Sequence, residues 1–154
     1  MTESFRLAKG GRIDRAKPIT VHFNGRALPA LAGDTAASAL LANGLHFVGR
    51  SFKYHRPRGI LSAGVDEPNA LLDVDRGNGR RDPNNRAGVV EAFDGRRLAS
   101  QNHWPSLDYD IGALGDRLAP LLAAGFYYKT FKWPRAAWKY VYEPLIRRAA
   151  GLGT

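Results

Sequence analysis

The stretch Ile19-Thr20-Val21-His22-Phe23-Asn24-Gly25-Arg26-Ala27-Leu28-Pro29-Ala30-Leu31, followed by Gly33-Asp34-Thr35 and the Ala- and Leu-rich run 36–43, decides the fold. Residues 19–23 alternate in polarity and carry β-branched side chains, which predicts a strand. Asn24-Gly25 is the strongest short hairpin signal, because both central positions of the tight turn need φ > 0. Residues 26–31 then return as a second strand. Pro29 has no N–H to give to a neighbour, which places that strand on a sheet edge. Asp34 or Thr35 can cap the free N–H groups of a helix over 36–43. Ala and Leu favour that helix, and Gly44 stands where a left-handed residue closes one.

Working outward, residues 45–48 predict a short strand, 50–64 a long loop, and 70–74 another strand. Residues 75–85 are charged and polar, with Gly77, Gly79 and Pro83, and predict a mobile excursion. Residues 89–93 and 96–100, joined by Asp94-Gly95, predict a second hairpin. This order predicts an α+β arrangement, a small mixed sheet with one helix across it. Residues 1–17 form a basic arm before it. After Trp104-Pro105 the character changes. Residues 106–124 predict helix at least in part, interrupted by Pro120. Pro134 suits the first turn of a last helix, and Pro144 should break or kink that helix. The aromatic residues crowd here: Phe126, Tyr127, Tyr128, Phe131, Trp133, Trp138, Tyr140 and Tyr142. The chain thus divides into an arm (1–17), a folded domain (18–103) and an aromatic-rich, mostly helical extension (104–154).

Composition bounds the chemistry. The 154 residues suffice for about one domain. The absence of cysteine excludes disulfides, thiolate catalysis and thiolate-held metal within the chain, and it fits a reducing compartment, the cytoplasm. No apolar run approaches the ~20 residues that a membrane span needs, and the polar N-terminus lacks the apolar centre of a secretory signal. A net charge of +9 favours anionic partners: nucleic acid, lipid, phosphorylated cofactors or an acidic protein. Equally, it can be a solvated surface rich in Arg.

The loop Arg50-Ser51-Phe52-Lys53-Tyr54-His55-Arg56-Pro57-Arg58-Gly59 interleaves cations with rings. Arg50, Lys53, Arg56 and Arg58 suit a flavin phosphate or a protein interface. They also suit a stacked single-stranded nucleic acid, or a structural loop tied to its neighbours by salt bridges. His22, His46, His55 and His103 are scattered without metal-ligand spacing. No phosphate loop, nucleophile elbow or dinucleotide fingerprint is present. Asp66-Glu67 and Asp108/Asp110 read as turn and cap residues rather than an acid/base pair. Ser62, Glu67 and Ala70 have the C-x4-C-x2-C spacing of a plant-type two-iron site, without its thiolates. By itself that spacing proves nothing.

Residues 33–44 (Gly-Asp-Thr through Asn-Gly), 49–60 (Gly-Arg-Ser-Phe-Lys-Tyr-His-Arg-Pro-Arg-Gly-Ile) and 67–71 (Glu-Pro-Asn-Ala-Leu) resemble the alpha subunit of heterotetrameric sarcosine oxidase. So do 100–107, 124–134 and 142–153, so that the resemblance runs in order through almost the whole chain. It implies a β-grasp domain of the two-iron ferredoxin type. In related amine-dehydrogenase-like proteins that module keeps its cluster cysteines. Here Ser62, Glu67, Ala70 and, near the fourth position, Gly88 would stand in their places, so the fold is expected to remain with the cluster abandoned. The resemblance further implies a parent complex that oxidises the methyl group of sarcosine, giving glycine, hydrogen peroxide, and formaldehyde or methylene-tetrahydrofolate. That complex carries FAD, FMN, NAD, tetrahydrofolate and zinc. The remainder of the alpha subunit and the beta, gamma and delta subunits would be the partners. Dinucleotide- and folate-binding domains would lie beyond this stretch. The expectation is a module without catalysis of its own, with a basic nucleic-acid-binding module as the alternative.

Overall fold

The computed structural model describes residues 5–121 and 133–152. Strand β1 (Asp14–Phe23) begins inside the stretch read as the basic arm, with a bulge between Asp14 and Pro18. It turns at Asn24 and Gly25, both with positive φ, into β2 (Arg26–Ala32). As Pro29 required, β2 lies on an edge of a five-stranded sheet ordered β2-β1-β7-β5-β6. Helix α1 (Ala36–Ala42) starts in a capping box: Thr35 Oγ1 accepts from Ser38 N, and Ser38 Oγ accepts from Thr35 N. Gly44 has φ +74. Its buried face is Ala36, Ala37, Ala39, Leu40 and Ala42. These mostly small side chains join one core with Val21, Phe23, Leu28, Leu72, Val74 and Leu98 from the sheet. Burying a side chain such as Leu40 contributes about 1.5–3 kcal/mol.

Asp34, the other candidate cap, does different work. Its carboxylate accepts from Leu31 N (2.8 Å), Ser38 Oγ (2.7 Å) and both arms of the Arg6 guanidinium (3.0 and 2.7 Å). That pair ties the N-terminal arm to the start of α1. Burial opposes the charge on Asp34, but these donors outweigh it and hold the carboxyl below its ordinary range.

Three expectations need correction. The stretch 50–64 is not one open loop. Strand β3 (Phe47–Arg50) pairs antiparallel with β4 (Pro57–Gly59), and Ser51, His55 and Arg56 close the turn between them. Residues 75–85 are not an excursion but most of a hairpin of β5 (Leu71–Gly77) and β6 (Arg80–Arg86). Asn78 and Gly79 both have positive φ. This is the same Asn-Gly signal as at Asn24-Gly25, hidden by charged flanks that face solvent on an edge strand. Arg76 and Asp82 pair across that hairpin. Finally, residues 89–93 do not pair with 97–100. The backbone of Val90 and Ala92 bonds instead to Ala36 N (2.7 Å) and Asp34 O (2.9 Å) at the entry to α1. Strand β7 (Arg97–Ser100) inserts between β1, to which it is parallel, and β5.

In the extension a 3₁₀ helix (Ile111–Leu121) includes Pro120 next to its last described residue, and none of its residues is buried. Helix α2 (Arg135–Ala137) follows Pro134. A π turn (Trp138–Tyr142) leads into α3 (Glu143–Ala149), whose first turn holds Pro144. The hydrogen-bond pattern therefore changes where proline removes a donor, which is the irregularity Pro144 predicted. Asn84 Nδ2 donates to Ala150 O (3.1 Å), fastening the end of α3 to β6. Phe126, Tyr127, Tyr128 and Phe131 lie outside the described residues.

Candidate functional site

The loop between β4 and β5 gathers the positions that sequence spacing singled out. Glu67 turns its side chain inward and is 1% exposed. Its Oε2 accepts from the N–H groups of Leu61 and Ser62, both at 2.7 Å. Its Oε1 accepts from those of Asn69 (2.8 Å) and Ala70 (3.0 Å). Ala70 is fully buried, and its carbonyl accepts from Ala87 N at 2.8 Å. That bond brings Gly88 against the loop, where a Cβ would lie 3.0 Å from Gly64 O and 3.1 Å from Gly64 N. Ser62 Oγ is buried without a partner. Burial works against the Glu67 charge, but the four N–H donors outweigh it and keep the carboxyl below its usual range.

An iron–sulfur cluster does not fit this loop. No thiolate exists in the chain, a carboxylate fills the centre, and the Gly88 position has no space for a side chain that could reach in. Replacing Gly88 by Ala is expected to lower stability by about 1–3 kcal/mol, because the new methyl group crowds the backbone of Ala63 and Gly64, which must shift to admit it. Thermal unfolding of the variant checks this.

The basic loop is drawn into the protein. Arg50 has an 8% exposed side chain. Its Nε donates to Leu107 O (2.9 Å), its Nη1 to His55 O (2.8 Å), and its guanidinium lies over the Phe47 ring. Nε is also 3.5 Å from Asp110 Oδ2. The fully buried Asp110 carboxylate contacts His55 Nδ1 at 2.7 Å and accepts from Trp104 N (2.9 Å) and Gly112 N (3.1 Å). A Cβ at Gly112 would overlap the His55 ring, so glycine is required there. Arg56 pairs with Asp116 (2.7 Å) and covers Tyr54, Lys53 also lies over Tyr54, and Arg58 bonds Asn69. The loop is thus riveted to the extension at Asp110 and Asp116, and to the Glu67 loop at Asn69. Sequence reading took Asp110 for a turn residue. Its role depends on Arg50 and His55, which are distant in sequence and carry no local signal.

Ser100 and His103 stand 2.7 Å apart, yet Ser100 Oγ also exchanges hydrogen bonds with Asn24 and is buried in the sheet. This is a lock on the β1–β2 turn rather than an exposed nucleophile. Among the described residues no group of three His, Asp or Glu converges as a metal site, and no helix is long and apolar enough to cross a membrane.

The five-stranded mixed sheet, the helix across it and the closed loop define a ferredoxin-type α+β domain. A family model described as "2Fe-2S iron-sulfur cluster binding domain" matches residues 16–103, and the chain belongs to that family. It is 61% identical over 150 residues to "Sarcosine oxidase subunit alpha" of Rhizobium meliloti (strain 1021), an alignment that covers 97% of this chain and 15% of that protein. A protein of the same name from Corynebacterium sp. (strain U-96) is 55% identical over 65 residues, covering 42% of this chain and 7% of that one. The similarity is to the N-terminal region of the alpha subunit. The chain therefore spans a small part of the relatives' length. Among solved structures, L-proline dehydrogenase from P. horikoshii aligns with a TM-score of 0.47 at 25% identity, over 59% of this chain and 17% of that one.

Proposed function

We propose that this chain is the cluster-less N-terminal module of a sarcosine oxidase alpha subunit, acting in assembly and not in catalysis. The observation that carries the reading is the apolar surface of the extension. Tyr109 and Leu121 are each 81% exposed and Trp133 is 85% exposed, on a segment otherwise anchored to the domain by buried Asp110. Trp and Tyr are among the side chains that supply most of the energy of protein interfaces. The relatives extend far beyond the matched stretch, and the remainder of the alpha subunit is the surface they would meet. The beta, gamma and delta subunits complete the complex in the cytoplasm. FAD, FMN, NAD, tetrahydrofolate and zinc belong to those other parts, as does the demethylation of sarcosine.

The test is co-expression with a sarcosine oxidase complex lacking this module, followed by purification and a flavin spectrum. Recovery of a flavin-loaded, active complex only when the chain is present supports the assembly role. Failure to associate leaves shared ancestry alone. Arg56 and Arg58 remain the candidates for an interface or flavin-phosphate contact from the basic loop. Arg56→Ala with Arg58→Ala is expected to reduce complex yield and flavin content several-fold, and an unchanged complex removes that role.

A further inference from the structure

We propose that the former cluster loop is a carboxylate-binding nest of four backbone N–H groups, and that Glu67 is its resident ligand. The four donors come in two pairs from the two ends of the loop, Leu61 with Ser62 and Asn69 with Ala70, and each pair meets one carboxylate oxygen at 2.7–3.0 Å. A buried carboxylate ordinarily needs a cation beside it. Among the described residues no Lys, Arg or His pairs with Glu67, so backbone dipoles alone balance the charge. Successive N–H groups pointing into a concavity are an anion site by geometry. Glu67 is 1% exposed, so without its carboxylate four donors would point into buried space. An unpaired buried donor is unfavourable, so the loop closes only around a group with acceptors for all four, which the two carboxylate oxygens of Glu67 supply.

The family is described as binding a 2Fe-2S cluster, a group from outside the chain. Here the side chain of residue 67 supplies the anion from within, so the loop closes independently of iron and sulfide. The chemical class that fits is a small monocarboxylate presenting two oxygens in one plane. Acetate corresponds to the part of Glu67 beyond Cβ.

The experiment is chemical rescue. The Glu67→Ala variant is prepared and its thermal midpoint followed against sodium acetate, with sodium chloride at matched ionic strength and neutral acetamide as controls. The expected result is a midpoint several degrees below wild type that rises with acetate in the saturable manner of a ligand binding only the folded state. Chloride and acetamide should leave it low, and the wild-type midpoint should move equally in acetate and chloride. In ¹⁵N-labelled variant, acetate should shift the amide signals of Leu61, Ser62, Asn69 and Ala70 above all others. A variant as stable as wild type, or one raised equally by the controls, overturns the proposal. Should the Ala variant fold in none of the three solutions, Glu67→Gln decides. It keeps the length of the side chain but sets an amide NH2 against two of the donors. A wild-type midpoint in Glu67→Gln overturns the nest, and a lowered midpoint that acetate does not restore supports it.

Discussion

Replacing Asp110 by Ala is expected to lower stability by about 3–5 kcal/mol, the range for removing one partner of a buried ion pair. The side chain is fully buried and serves Arg50, His55 and the N–H groups of Trp104 and Gly112 together. Its loss leaves a nearly buried guanidinium without its counter-charge. It also loosens the segment that carries Tyr109 and the 3₁₀ helix, which the Arg56–Asp116 pair and the Arg50–Leu107 bond still tie to the β3–β4 turn. The denaturant midpoint should therefore fall, and protease should cut within residues 104–121 at a rate the wild type does not show. Asp110→Asn keeps the shape and one acceptor oxygen, so it should retain part of the lost stability. Equal midpoints for wild type and Asp110→Ala would mean that the rivet between loop and extension does not contribute.

Acid should unfold the domain steeply. Asp34, Glu67 and Asp110 are each buried against their charge, yet hydrogen-bond donors hold all three carboxyls below their ordinary range. For Asp110 the donors are Trp104 N, His55 and Gly112 N. A carboxyl depressed in the folded state stabilises fully above its unfolded pKa. That contribution disappears as pH falls from there through the folded value, because the unfolded chain takes up protons first. The reference values are 3.8 for Asp and 4.5 for Glu. Stability should therefore be flat near neutrality and decline below about pH 5, with a limiting slope of about 4 kcal/mol per pH unit for three groups acting together. Urea unfolding between pH 6 and 3 measures the slope. A variant lacking any one of the three should be shallower by about a third. A profile that is flat down to pH 3 would contradict the buried, anionic state of these residues.

What could be read beforehand followed from local chemistry. Asn24-Gly25, the edge proline, the Thr35 cap and Gly44 each act within a few residues, and each stands where the sequence placed it. Asn78-Gly79 carried the same turn information, but residues 75–86 around it are charged, polar, glycine or proline and none is buried, so no alternation beside the turn announces it. Residues 89–93 alternate like a strand because Val90 and Ala92 are buried. What they pack and bond against is the entry to α1, and only the tertiary fold reveals that. The spacing of Ser62, Glu67 and Ala70, together with the family resemblance, singled out the loop between β4 and β5. It did not reveal that Glu67 occupies the centre, because the donors are backbone groups that every residue possesses. The basic loop illustrates the same limit. Its composition matched several ligands, while the partners that engage it, Asp110 and Asp116, lie far along the chain.

The position of β7 bears on how the chain is made. Hairpins β1–β2 and β5–β6 are both complete once Arg86 has been added, yet no ladder joins them except through Arg97–Ser100. The central strand is thus the last to leave the ribosome. A nascent chain stopped before Arg97 holds two unsealed hairpins with their apolar sides open, a state that attracts chaperones and aggregates readily. Pairing His22 with Arg97 is a contact of high order, which slows folding. Synthesis through Ser100, rather than completion of either hairpin, is the event that commits this domain to its native sheet.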